Sequence, residues 1–432
     1  MKKIYFLTLT VLTSVALIKA QSPCATGRYA ADTFTNVTTT SGVVYGSNVK
    51  ANGSAQSLTM DIYQPTGDLE TARPLIIWAH GGSFSFGSST TSDVVTLSQR
   101  FAKKGYVCAS INYRLGISPL DSVGLVKAVL RAVQDMKASV RYFYKDKQTL
   151  NMYKIDTNNI FIGGSSAGAV TALHYEFLNK QCEVNQYLDN TTFNALGGLD
   201  GTSGNPGYST KVKGVVNLCG ALATYGWIEA GDMPFCSMHG TADGTVNYAR
   251  ASALGLLVVD GSRYLKQQSN VVGVANSFYT WYGAPHVPYL GTSATQLAYM
   301  DTTVNFVRDY LISRMGCTNA PLLPANTPSG AVSLYNFTAC NNSTAGVKES
   351  NAAHLVQTLY PNPSSDKVTL VFVNTAEEHT IVLMDITGKI LKVEKTNSAE
   401  FTFEKNTIES GIYFLKVIAT NGQSSVHKIV FN

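Results

Sequence analysis

Residues 161–169 read Phe161-Ile162-Gly163-Gly164-Ser165-Ser166-Ala167-Gly168-Ala169. An apolar run enters this stretch and a small-residue helix pattern leaves it, so the sequence predicts a strand, a sharp turn and a helix. Residues 164–168 fit G-x-S-x-G, in which glycines let a strand and a helix approach closely enough to hold a strained serine. The exposed hydroxyl is expected on Ser166. With 36 glycines in the chain, an ordinary Gly/Ser turn stays the alternative unless partner residues occur elsewhere.

The segments around this turn alternate between strand and helix patterns. Nearly unbroken apolar runs at 74–79 and 107–111 are typical of strands covered on both faces. Alternating residues in 43–63 indicate antiparallel strands at a sheet edge. The order predicts an α/β fold with a doubly wound, mostly parallel sheet. Helices are predicted at 125–144, 167–178 and 293–315, and further strands at 212–218, 234–238 and 277–282.

The chain has 432 residues, 45% of them hydrophobic, which favours two domains with a large core in one of them. Residues 1–20 combine early lysines with a short apolar run and resemble a secretory signal peptide, with a retained membrane anchor as the alternative. No later stretch is apolar over the roughly 18–20 residues that a membrane span needs. The mature chain is therefore expected to be exported, without a transmembrane span.

Charge and cysteine content exclude some functions. Without residues 1–20 the chain has 30 basic and 28 acidic residues. This near balance lacks the excess of positive charge that is typical of proteins that bind nucleic acid. The seven cysteines are an odd number, so at least one is expected to stay free or pair outside the chain. Cys317 with Cys340 is a candidate pair, whereas Cys219 and Cys236 lie in apolar runs that predict buried thiols. No Cys or His spacing indicates a metal, and no cofactor is expected.

The sequence predicts a boundary near residue 316. The larger domain spans 21–315, prolines and polar residues in 316–355 indicate a linker, and short strand patterns in 356–432 predict a small all-β sandwich. Within the larger domain, residues 185–210 are too long for a simple connection. They form either a lid over the site or a surface loop, and their position after the helix that follows Ser166 favours the lid.

Three side chains have the positions that acyl transfer requires, each after its own strand. Ser166 is the candidate nucleophile, His286 the base in a Gly/Pro loop, and Asp243 the acid that orients the base. The chain order Ser, Asp, His is that of one group of hydrolases. His239, four residues before the acid, is interpreted as a structural member of the turn.

The segment that follows the first central strand supplies candidate donors for a developing oxyanion. His80-Gly81-Gly82-Ser83-Phe84 leaves backbone N–H groups available, and we expect Gly82, Ser83 and Ala167 to form an oxyanion hole. Alone, this segment is equally consistent with a strand-ending turn. Aromatic residues near the proposed site are candidates for substrate contacts, although core packing explains several equally well: Phe84, Trp227 and Tyr289, with Phe86 and Tyr282 beside them.

Together these motifs resemble the α/β-hydrolase superfamily, in particular its carboxylesterase and lipase-like branch with H-G-G-G and G-x-S-A-G. The resemblance covers roughly residues 54–315 and implies the fold, a serine ester hydrolase reaction and the site residues named above. One departure is Ser83, where the branch usually has a third glycine. The resemblance also includes Tyr113-Arg114, the Asp135 helix, Ile155-Asp156 and His239-Gly240-Thr241.

The C-terminal segment resembles the sorting domain of the bacterial type IX secretion system, over about 356–432. This resemblance implies export by the type IX machinery, with the chain secreted or attached to the cell surface, and no part in chemistry. A small carbohydrate-binding sandwich is the alternative. The matching residues are Leu359-Tyr360-Pro361-Asn362-Pro363, Asp385-Ile386-Thr387-Gly388-Lys389, Ser410-Gly411-Ile412-Tyr413 and Lys428.

The expected function is therefore that of a secreted serine carboxylic-ester hydrolase with a Ser-His-Asp triad and an acyl-enzyme intermediate. Small or aromatic esters, or ester groups on polymers, are the expected substrates. A serine peptidase of the same fold is one alternative, because the same triad cleaves amides. A non-catalytic adhesion module is the other.

Overall fold

The computed structural model describes residues 27–317, 326–327, 330–337, 340, 355–373, 377–386, 388–420 and 424–432. The chain divides into two compact units, Met1–Asn342 and Ser343–Asn432. The predicted signal peptide, residues 1–20, lies outside the described residues, as do parts of the predicted linker. Among the described residues, no helix has both the length and the apolar character that crossing a membrane requires.

The first unit alternates strands and helices along most of its length. Its elements in chain order are β1 (Val37–Val49), β2 (Ala55–Pro65), β3 (Arg73–Ala79), α1 (Ser92–Lys103), β4 (Val107–Ile111), α2 (Ser122–Gln148), β5 (Ile155–Ser165), α3 (Ala167–Phe177), α4 (Gln181–Asn185), α5 (Asn190–Ala195), β6 (Gly214–Leu218), β7 (Ala221–Leu222), β8 (Phe235–Gly240), β9 (Arg250–Ala253), β10 (Leu257–Gly261), α6 (Ser262–Val272), β11 (Asn276–Trp281) and α7 (Ala294–Arg314).

Eight of these strands form one sheet in the order β1-β2-β4-β3-β5-β6-β8-β11. The pairs β1–β2 and β2–β4 are antiparallel, and the remaining pairs are parallel. All seven residues of β3 are buried, as expected for a strand covered on both faces. The predicted fold class, including the antiparallel edge, is confirmed.

Alternation along β3 divides the apolar interior into two layers. Leu75 and Ile77 belong to the cluster that includes residues of α2 and α3. Ile76 and Trp78 belong to a second cluster with residues of α1 and α7, such as Phe101. Successive strand residues point to opposite faces, so each face of the sheet is covered by its own pair of helices.

Side-chain caps fix where the two longest helices begin. The Asp121 carboxylate accepts a hydrogen bond of 2.7 Å from the Gly124 N–H at the start of α2. At the start of α7, the Ser293 hydroxyl accepts from the Gln296 N–H and the Gln296 side chain accepts from the Ser293 N–H. Such caps satisfy N–H groups that have no acceptor inside the helix.

Residues 196–205 do not cover the site as a lid, whereas Tyr187, earlier in the predicted lid segment, lines the cavity beside Ser166. The Gln134 amide on α2 donates to the carbonyls of Leu196 and Gly198, and the Ser203 hydroxyl donates to the buried carboxylate of Asp135. The Ser203 carbonyl accepts from Ser47 on β1. The later part of the segment therefore packs on α2 and β1, which corrects the lid interpretation.

The part of the predicted linker between residues 326 and 340 belongs to the first unit. We call residues 326–340 the strap, of which 326–327, 330–337 and 340 are described. Asn326 forms a parallel bridge with Tyr279 on β11. Cys340 is bonded to Cys182, so the predicted Cys317–Cys340 pair is wrong, because the strap runs back across the unit instead of closing a local loop.

The second unit consists of two antiparallel sheets. The three-stranded sheet has the order β12-β13-β16 and the four-stranded sheet β15-β14-β17-β18, with Leu370, Leu383 and Leu415 fully buried between flanking strands. The predicted all-β fold is confirmed. Its strands are β12 (Val356–Tyr360), β13 (Lys367–Phe372), β14 (His379–Met384), β15 (Ile390–Thr396), β16 (Glu400–Glu404), β17 (Gly411–Ala419) and β18 (Ser424–Phe431).

Candidate active site

Ser166 occupies the turn between β5 and α3, with φ 54° and ψ −120°. A positive φ is uncommon for a residue with a Cβ atom and is found where the surroundings enforce it. The neighbouring glycines explain how they do so. A Cβ added to Gly168 would lie 1.9 Å from the Ala79 carbonyl oxygen, and one added to Gly164 would lie 2.4 Å from the same atom. Glycine at both positions lets α3 start directly against β3.

The structure brings Ser166, His286 and Asp243 together. His286 Nε2 lies 2.8 Å from the Ser166 hydroxyl, and His286 Nδ1 lies 2.6 Å from Asp243 Oδ2. An ionised carboxylate only accepts hydrogen bonds, so Nδ1 carries the proton of the neutral ring. Nε2 is then free to accept the hydroxyl proton of Ser166, which is the arrangement that activates a serine nucleophile.

Asp243 is held as a carboxylate by four donors. Oδ1 accepts from the N–H groups of Thr245 and Val246, both at 2.9 Å, and Oδ2 accepts from His239 Nε2 at 3.1 Å as well as from His286. Burial acts to raise the pKa of Asp243, but the hydrogen bonds from the two histidines outweigh it and hold that pKa well below its usual value. The acid is therefore ionised at neutral pH.

His239 is positioned by a buried polar chain behind the acid. Its Nε2 faces two acceptors, Asp243 Oδ2 and the Val246 carbonyl at 2.9 Å, so Nε2 carries the proton. Its Nδ1 accepts from the Ser262 hydroxyl at 2.8 Å, and Ser262 in turn accepts from Asn217 Nδ2 at 2.9 Å. The structural role predicted for His239 matches this geometry. Ser262 and Asn217 carry no local sequence signal, and sequence reasoning missed them.

The turn after β3 lies beside Ser166, because a Cβ added to Gly81 would be 3.2 Å from the Ser166 Cβ. Gly82, Ser83 and Phe84 all have positive φ, at 113°, 50° and 58°. Ser83 lines the cavity at Ser166, as does Ala167. Ala167 is the first residue of α3, so its N–H has no acceptor inside the helix. Gly82 has no room for a side chain, because a Cβ there would lie 2.0 Å from the Phe86 carbonyl oxygen.

A cavity with about 890 Å³ of empty volume, its open mouth included, adjoins the serine. Within the described residues, no Asp, Glu, Lys or Arg side chain lines it. The histidine in the lining is neutral, because burial lowers the pKa of His174 to about 4. The lining is mostly apolar: Leu125, Val126, Val129 and Leu130 from α2, Val170, His174 and Leu178 on or after α3, Val184 and Tyr187 from α4 and the following loop, Trp227, and Ala253, Leu254, Leu257 and Val259 from the β9–β10 hairpin.

The predicted substrate-contact residues fall into two groups. Phe84 and Trp227 line the cavity. Tyr289 does not. Its buried hydroxyl lies 2.7 Å from that of Ser165, and its ring packs near Trp281 in the cluster on the other face of the sheet. Tyr289 therefore belongs to the core, which corrects its assignment as a substrate contact.

Cys219, Asp243 and His286 form a group of three side chains of the types that bind metal ions. The Cys219 thiol lies within 4.8 Å of ligand atoms of Asp243 and His286. Metal binding requires the thiolate. Burial raises the pKa of Cys219 to about 12, and both oxygens of Asp243 already accept two hydrogen bonds each. This donor set does not fit a metal ion.

The sheet order and the three converging side chains define the α/β-hydrolase fold with a Ser-His-Asp arrangement. Residues 60–223 match the family model described as BD-FAE. Residues 358–432 match the model of the secretion system C-terminal sorting domain. The second match coincides with the all-β unit.

Esterases are among the curated relatives that match. Gut esterase 1 of Caenorhabditis briggsae is 29% identical over 115 residues, which are 26% of this chain and 20% of that protein. Carboxylesterase 3B of Mus musculus is 34% identical over 122 residues, 27% of this chain and 20% of that protein. The chain therefore spans about a fifth of the length of these relatives.

Among solved structures, Thermogutta terrifontis esterase 2 phosphorylated by paraoxon is 19% identical, with a TM-score of 0.48. The superposition covers 67% of this chain and 97% of that chain.

Proposed function

We propose that the first unit is a carboxylic ester hydrolase that works through an acyl-enzyme formed on Ser166. The observation that carries the proposal is the pair of contacts made by His286, 2.8 Å to the serine oxygen and 2.6 Å to the acid. The matches to esterases support the same reaction type. The presence of all three side chains in hydrogen-bonding geometry counts against a non-catalytic adhesion module.

In the first half of the reaction, Ser166 Oγ attacks the ester carbonyl carbon while its proton moves to His286 Nε2. The carbonyl oxygen becomes an oxyanion, for which the N–H groups of Gly82, Ser83 and Ala167 are the proposed donors. Loss of one such donor typically costs about 3–4 kcal/mol of transition-state stabilisation. When the intermediate collapses, the bond to the alcohol oxygen breaks, and His286 gives its proton to the departing alcohol.

The second half repeats these steps with water. A water molecule gives a proton to His286 and attacks the acyl carbon, and the new intermediate expels Ser166 Oγ, which recovers the proton from Nε2. Throughout, Asp243 stays ionised and stabilises the imidazolium form of His286. The products are the carboxylic acid, the alcohol and the unchanged protein.

The cavity indicates the substrate class. Its apolar lining, with a neutral His174 and Trp227, suits an uncharged aliphatic or aromatic group beside the ester. We therefore propose small or aromatic esters, or such groups on polymers, as substrates. The sorting domain supports a further proposal, that the type IX machinery exports the chain to the outside of the cell or to its surface.

Labelling with a fluorophosphonate probe, together with hydrolysis of p-nitrophenyl acetate, tests the nucleophile. Ser166→Ala should lose both the label and at least about 10³-fold in kcat. Ser165→Ala is the matched control, because that hydroxyl is buried against Tyr289, and it should keep both. If Ser166→Ala still takes the label or hydrolyses the ester at the parent rate, the assignment is wrong. Anilides with the same acyl group distinguish an esterase from a peptidase.

A further inference from the structure

The strap contacts the elements that form one wall of the cavity. This wall consists of Val184 and Tyr187 after the start of α4, Trp227 in the turn after β7, and Val259 on β10. Each of these residues lies close in sequence to a residue that the strap holds.

Tyr335 is the central contact of the strap. Its hydroxyl donates to Asp260 Oδ2 at 2.7 Å and lies 2.8 Å from the Thr224 hydroxyl, which acts as the donor because the carboxylate can only accept. Arg250 lies over the Tyr335 ring at 4.0 Å and pairs with Asp260 at 2.6 Å. Asp260 is the neighbour of Val259 in the wall. The contact thus joins the β9–β10 hairpin to the turn that carries Trp227.

Two more strap residues hold the rest of the wall. The Phe337 ring packs directly on Gly226, where an added Cβ would lie 2.2 Å from the ring. Gly226 precedes Trp227. The Cys182–Cys340 disulfide then ties the end of the strap to α4, two residues before Val184. Hairpin, turn and helix are therefore joined through one segment that lies outside the predicted catalytic domain.

Resting on the ester hydrolase function proposed above, we propose that the strap determines acyl-chain specificity by fixing the position of this wall. A long or aromatic acyl group reaches the wall and gains binding energy only if the wall is already ordered. An acetyl group is too short to use it. Among the described residues, the contacts of Tyr335, Phe337 and Cys340 do not include Ser166, His286 or Asp243, so we expect the strap to leave the bond-making steps unchanged.

The test compares p-nitrophenyl octanoate with p-nitrophenyl acetate in the full-length chain. Cys182→Ser/Cys340→Ser should lower the octanoate-to-acetate ratio of kcat/KM at least fivefold, through a higher KM for octanoate, with acetate kcat within twofold of the parent. Tyr335→Phe, which removes one hydroxyl and keeps the ring, should lower the ratio about threefold. Tyr360→Phe, an exposed tyrosine of the second unit, is the matched control and should leave it unchanged.

A ratio within 1.5-fold of the parent in both strap variants would overturn the proposal, as would an equal loss on both esters. If the double cysteine variant does not fold, Tyr335→Phe decides, and the acetate rate and the melting temperature report its integrity. Failure of the hydrolase proposal looks different, because Ser166→Ala would then still cleave both esters.

Discussion

Replacing Asp243 with Asn tests the triad most directly, because all four hydrogen-bond partners of this carboxylate are donors. An amide has one oxygen and one NH₂ group. The N–H groups of Thr245 and Val246 are fixed by the backbone and require the oxygen. The NH₂ group must then face His286, so the ring has to accept at Nδ1 and carry its proton on Nε2. In that tautomer His286 cannot take the proton of Ser166.

The same substitution also places the NH₂ group against the proton on His239 Nε2. His239 cannot easily move that proton to Nδ1, which accepts from the Ser262 hydroxyl. The structure therefore leaves no hydrogen-bonding arrangement that keeps the base functional. We expect kcat to fall about 10³- to 10⁴-fold, which corresponds to roughly 4–5.5 kcal/mol of transition-state stabilisation.

The assay is steady-state hydrolysis of p-nitrophenyl acetate, with the melting temperature measured alongside. Asp232→Asn is the matched control, because this acid precedes β8 at the opposite edge of the sheet and accepts from the Glu229 N–H. It should keep kcat within about twofold. If Asp243→Asn folds and keeps more than a tenth of the parent kcat, the assignment of the acid is refuted.

Two predictions concern stability and are measured by urea unfolding. Gly168→Ala should lower the free energy of unfolding by about 3 kcal/mol or more, because the new Cβ meets the backbone of β3, whereas Gly244→Ala has open space and should change it by less than about 0.5 kcal/mol. Burial raises the pKa of Glu176 from its ordinary 4.5 to about 7. The folded state therefore binds this proton more tightly than the unfolded state, and the stabilisation is complete below pH 4.5 and lost as the pH rises to 7. Between pH 5 and pH 8, the free energy of unfolding should therefore fall by about 2 kcal/mol more in the parent than in Glu176→Gln. An equal fall in both proteins would contradict this.

The central sheet could be predicted because its strands carry their own signal. The runs at 74–79 and 107–111 are apolar throughout, and a strand buried on both faces must be so. The sharp turn at Ser166 could be predicted for a related reason. Gly164 and Gly168 lie where the turn and α3 touch the end of β3, and no residue with a side chain fits there. The places of Asp243 and His286 could be predicted because active sites of such folds lie at the carboxyl ends of parallel strands.

The rest depends on contacts between distant residues. The places of the β9–β10 hairpin and of the strap come from the contact of Tyr335 with Asp260, 75 residues away. The pairing of Cys182 with Cys340 spans 158 residues and leaves no spacing signal. Its position near His286 in the sequence predicts Tyr289 as a substrate contact, but the direction of its side chain places the ring in the core.

Among the described residues, three cysteines lie outside disulfides, and they affect how long the protein stays active. Cys108, Cys219 and Cys236 are buried, and burial raises the pKa of each thiol. Exchange with a disulfide requires a thiolate that can reach the bond. The folded chain therefore keeps its own reactive sulfur away from Cys182–Cys340. Heat or denaturant removes that protection, so inactivation under such stress should become irreversible through scrambled pairing, faster at alkaline pH and slower when a thiol-blocking reagent is present during unfolding.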